Sequence, residues 1–149
     1  MTRVPARRQA CTKHDAQIRA TQARAFLETA KLVMSERGKP EDVDFNHVAA
    51  GNAVLAAIAA SDAICCRFLG ERSRGQDHRE AIVLLEQVRL GPGSPAEQAR
   101  RAKQLATALA TALDLKDDSH YGLLMIGAAE LRRLVRAAEK LTEAAATMP

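Results

Sequence analysis

From Val48 to Leu69 the chain is almost wholly apolar, interrupted only by Asn52, Ser61, Asp62 and Arg67. A helix that is apolar all round belongs inside a bundle rather than on its surface. Asp44 supplies a capping oxygen where this rod begins, and Gly70 ends it in the usual C-terminal position. On either side the pattern becomes amphipathic. Ala23, Phe26, Leu27, Ala30, Val33 and Met34 fall on one helical face. They predict a first helix that starts between Thr12 and Asp15 and stops at Gly38 and Pro40. A third helix is predicted to open with Asp77 and Glu80 as a capping box. It carries Ala81, Ile82, Leu85 and Val88 on one face, with His78 a turn earlier.

Gly91-Pro92-Gly93 is a break. Ser94-Pro95-Ala96-Glu97 then reads as a second capping box with Pro at the first helical position. A fourth helix follows with Ala102, Leu105, Ala106, Leu109, Ala112 and Leu113, drawn on as far as Gly122. A fifth starts near Gly127 and carries Leu131, Leu134, Val135, Ala138, Leu141 and Ala145. No stretch alternates strictly enough for a strand. The expected fold is therefore all-α: a single-domain up-and-down bundle of about five helices over residues 14–149.

Composition narrows this further. The 149 residues fit one domain, and aromatic residues make up only 3%, with no Trp. The core must come from Ala, Leu, Val and Ile, and Ala is the strongest helix former. The net charge of +4 is unevenly placed: residues 1–39 carry nine Lys/Arg against three Asp/Glu. Residues 1–13 read as a basic, flexible N-terminal arm, with Pro5 arguing against a helix there. A basic segment on a near-neutral body points to an anionic partner. The three cysteines are odd in number, and Cys65 and Cys66 are adjacent in the buried rod. That arrangement predicts no disulfide framework, and without a Cys-x-x-Cys pair it argues against zinc. A reducing, cytoplasmic location is expected. The N-terminus has no apolar signal core, and Asp62 and Arg67 break the apolar rod, so no membrane insertion is expected.

Three clusters carry candidate chemistry. Arg72, Arg74 and His78 lie in or beside a short loop between two glycines, Gly70 and Gly75. A guanidinium holds a phosphate through parallel hydrogen bonds, and an imidazole titrates near neutrality. Asp62, near Asn52 and Ser61, is a carboxylate in an apolar helix and needs a partner, such as Arg67, a base from another helix, or Tyr121. Asp118 and Tyr121 sit in a polar stretch with Asp117 and His120. The ligand-binding candidates are therefore Arg72, Arg74, His78, Asp62, Asp118 and Tyr121. No P-loop, dinucleotide fingerprint or nucleophile motif is present, and no cofactor or metal is expected.

The order of these features resembles the HEPN-like (higher eukaryotes and prokaryotes nucleotide-binding) helical bundle family. The segment SDAICCRFLGERSRGQDHREAIVLL resembles that family's buried helix of small residues, its short loop and the His that opens the next helix. Asp118 and Tyr121 resemble its Asp-x-x-Tyr-like stretch before the last helix. The likeness covers roughly residues 14–146. It implies a HEPN-like fold, a homodimer, and binding of nucleotide or RNA phosphate. It also implies a toxin–antitoxin or defence setting, with a nucleotidyltransferase-type partner protein. Some members of the family are metal-independent endoribonuclease toxins that use an Arg and a His. Arg72 and His78, with five residues between them, would be that catalytic pair here. Ser73 and the flanking glycines depart from the toxin pattern. A non-catalytic homodimeric interaction scaffold is the remaining alternative.

Overall fold

The computed structural model describes residues 8–74, 78–116 and 125–149. Its elements run β1 (Arg8–Ala10), α1 (Lys13–Ser35), α2 (Phe45–Leu69), β2 (Glu71–Ser73), α3 (Arg79–Glu86), α4 (Pro95–Lys116) and α5 (Ala128–Thr147). The described residues thus form five helices and one small two-stranded sheet.

Local chemistry explains the helix ends. The Thr12 hydroxyl accepts from the Asp15 amide at 3.1 Å, and the Asp15 carboxylate accepts from the Thr12 amide at 2.8 Å. This reciprocal box starts α1. The Thr12 amide bond, first, and then its hydroxyl hold the Asp15 carboxyl below its ordinary range. Asp44 caps α2 by accepting from the His47 amide at 3.0 Å. Gly70 closes it with φ 71°, a left-handed conformation that suits glycine. Ser94 and Glu97 cap α4 as their spacing predicts.

Helix α2 is the hub. It packs most extensively on α1 and next on α5, with α4, α3 and β2 completing its surroundings. Ala49, Ala53, Ala56, Ala57, Ala60 and Ala63 are essentially inaccessible, and such small side chains let neighbouring helices approach closely. By length and composition α2 could cross a membrane, yet most of it is buried within the bundle. The stripes of α4 and α5 reach the core as expected: Leu105, Leu109, Leu134 and Leu141 are buried. In α3, Leu84 and Leu85 are the buried residues, while Ala81 and Ile82 are half-buried.

Four expectations need correction. First, strands do form: β1 pairs antiparallel with β2 in the register Arg8↔Ser73, Gln9↔Arg72 and Ala10↔Glu71. Three-residue strands are too short for alternation to reveal them. Second, residues 8–13 are not a free arm, since they form β1, the Thr12 cap and the first residue of α1. Third, Cys11 and Cys66 are joined in a disulfide across 55 residues, leaving Cys65 free and buried. Neighbouring helical residues point about 100° apart, so Cys65 and Cys66 meet different surroundings. The cysteine argument for a reducing compartment falls away with this bond. Fourth, α3 begins after His78, which makes no side-chain capping bond. Glu80 instead accepts from Arg8 Nε at 2.6 Å, drawn to the base that β1 brings beside it. Asp77, the expected cap, lies outside the described residues.

Candidate functional site

The left-handed turn at Gly70 sends β2 back along the last turns of α2, which carries Arg72 to Asp62. Asp62 Oδ2 accepts from Arg72 Nη1 at 3.0 Å, and from Arg19 Nε and Nη2 at 3.1 and 2.8 Å. The Asp62 side chain is 10% exposed, while those of Arg19 and Arg72 are 24% and 31% exposed. Neighbours orient both bases. Arg72 Nη2 donates to Gln9 Oε1 at 3.0 Å, and Arg19 Nη1 donates to Gln22 Oε1 at 2.7 Å. One carboxylate thus meets two guanidinium groups, leaving a local excess of one positive charge.

Arg67 is not the partner of Asp62. It lies five residues along α2, a rotation of about 140° from Asp62, and its Nε donates to the Pro149 carbonyl at 2.6 Å.

A cavity of about 220 Å³ opens beside this network. Ile58, Ala81, Leu109 and Leu113 give it an apolar side, and Ser61, Asp62, Arg72, Ser73, Arg74 and His78 a polar one. The structure therefore brings Arg72, Arg74, His78 and Asp62 to one space. Asp118 and Tyr121 lie outside the described residues.

Two features of the polar side bear on ligands. The Ser73 hydroxyl oxygen is buried without a hydrogen-bond partner among the described residues, and that of Ser61 meets only the Cys65 thiol. Buried hydroxyls are normally satisfied, so both retain bonding capacity at the cavity wall. Arg74 makes no hydrogen bond or ion pair among the described residues and is exposed.

His78 Nε2 lies 2.7 Å from Lys116 Nζ, so the ring and the amine are in hydrogen-bond contact. Cys65 lies on α2 close to Ser61 and Asp62. Burial, first, and the Asp62 charge push its thiol up to about 12, against a smaller pull from the Ser61 hydroxyl. At neutral pH it is an inert core thiol.

Sequence reasoning missed Arg19, Gln9, Ser73 and Lys116 as neighbours of this site. The unpaired need of Asp62 signalled that some base must reach it, but spacing could not choose Arg19 over other bases of α1. A separate groove between α4 and α5 was also unforeseen, although Arg133, Arg136 and Lys140 recur there at helical spacing. Among the described residues, no three His, Cys, Asp or Glu side chains converge as a metal site would require. No protein-family model, curated protein or solved structure matches this chain.

Proposed function

We propose that the protein binds a phosphate-bearing ligand, a nucleotide or RNA, in the cavity between β2, α3 and α4. The observation that carries this is the cavity's polar side. Arg74, the His78 ring and the Ser61 and Ser73 residues line a space whose one carboxylate is already held by two guanidinium groups. Charge-assisted donors around a partly dehydrated space are what an oxyanion needs. The apolar side would receive the uncharged part of such a ligand.

The binding reading is preferred to the endoribonuclease alternative. Catalysis would ask Arg72 and His78 to act on the phosphodiester directly. Arg72 already serves Asp62 and Gln9. His78 Nε2 is already engaged by Lys116 at 2.7 Å. We also propose that the bundle is HEPN-like and homodimeric, with the toxin–antitoxin setting as its context. Support for this is the order of helices, together with the exposed Val48 and Leu55 on α2.

Calorimetric titration with inorganic pyrophosphate, AMP and a short RNA tests the proposal. Arg74→Ala should weaken binding about tenfold, the effect of losing a charge-assisted contact worth about 1.5 kcal/mol. Equal affinity in parent and variant would remove this site from the account.

A further inference from the structure

We propose that the Cys11–Cys66 disulfide is a reducible latch, opened by a small thiol that enters the polar cavity beside it, and that its opening frees β1 from Arg72. That cavity, of about 330 Å³, is distinct from the phosphate cavity but shares Arg72 with it. Both cysteines line it, together with Gln9, Asp15, Arg19 and Arg72. Asp15 on the cavity wall and Asp62 behind it together match the charges of Arg19 and Arg72, so the cavity admits a reagent of either sign.

Cys11 is half-buried and Cys66 is buried, so Cys11 is the more exposed of the two and the side from which a thiol arrives. A thiolate sulfur bonds to Cys11 Sγ as the Cys11–Cys66 bond breaks, and Cys66 leaves as a thiolate and takes a proton. A second thiolate attacks the reagent's sulfur in the mixed disulfide and releases Cys11. The protein disulfide gains two electrons, and two reagent thiols become one disulfide.

Little else fastens β1. A two-stranded ribbon is marginal alone, and this one is three residues long. The Cys11 amide donates to the Gly70 carbonyl at 2.9 Å. The ion pairs of Arg8 with Glu71 and Glu80 are part-exposed, and such pairs contribute little. Without the covalent link, Gln9 withdraws and Arg72 Nη2 loses its acceptor, while Nη1 keeps Asp62. Arg72 then presents a different donor to the phosphate cavity. This last consequence rests on the phosphate-site reading; release of the strand does not.

The full chain is treated with glutathione near pH 8. Iodoacetamide labelling with mass mapping follows the cysteines, and hydrogen exchange follows the Cys11 amide. Cys11 and Cys66 should become labelled, and Cys65 should not. The Cys11 amide should exchange at least about tenfold faster, with Leu109 and Leu134 still protected. A bond reduced only when those core amides also open would overturn the latch, as would a Cys11 amide exchanging at its oxidised rate. Cys11→Ser should reproduce the fast strand exchange without reagent, and slow exchange at the Gln9 amide, which faces β2, would contradict the proposal. Pyrophosphate affinity that differs about threefold or more between oxidised and reduced protein supports the link to Arg72, and equal measurable affinities refute it. Absence of binding in both states would count against the phosphate site alone, since the exchange result stands by itself.

Discussion

A carboxylate left alone in an alanine-lined helix would cost several kcal/mol, and Asp62 avoids that cost through Arg19 and Arg72. The arrangement also means that Arg72 is a structural partner before it is a ligand contact. Asp62→Asn would leave two bases without their counter-charge, but both are part-exposed and can rehydrate. The expected loss is therefore about 1–3 kcal/mol rather than the larger penalty of a sealed pair. Urea unfolding measures it, and an unchanged midpoint would mean that the network contributes nothing. Cys65 gives a pH signature at the same scale. Its thiol rises from 9.0 when unfolded to about 12 when folded. The folded state therefore binds more protons, and stability falls as pH climbs from about 9 towards about 12. Cys65→Ala should make that alkaline limb shallower, and identical limbs in variant and parent would contradict the assigned burial effect.

Among the elements, α2 decides the architecture through what its side chains lack. Alanines at 53, 56, 57 and 60 leave no room for larger groups. Ala57→Leu should overpack the contact and lower stability by about 1–3 kcal/mol; thermal unfolding at or above the parent's midpoint would show slack that the structure does not contain. The helices themselves were legible because their signals are local. Thr12, Asp44, Gly70 and the Ser94–Glu97 box mark ends, and the α5 leucines mark a face. The sheet was not legible, because each strand spans three residues and their pairing joins Gln9 to Arg72 across the whole of α1 and α2. The disulfide escaped for the same non-local reason. Arg72, Arg74 and His78 could be grouped because they lie close in sequence, and one cavity receives all three. Their partners Arg19, Gln9 and Lys116 arrive from other elements, which no spacing rule encodes.

For the whole molecule, the bundle sets a small cationic space against an alanine-rich core, and the disulfide fastens the chain's first described strand to that core. In the chain-entropy view, a cross-link closing a loop of this length contributes about 4 kcal/mol, a large part of the usual stability of a domain. The bundle's positive charge is not confined to one place, since Arg133, Arg136 and Lys140 form a second basic groove. The claim that matters most is therefore where an anion binds. Titrating isotope-labelled protein with inorganic pyrophosphate, and following amide shifts by NMR, locates it directly. Saturable shifts should centre on Ser61, Ser73, Arg74 and His78. Shifts centred on Arg133, Arg136 and Lys140, or none at all, would contradict that placement.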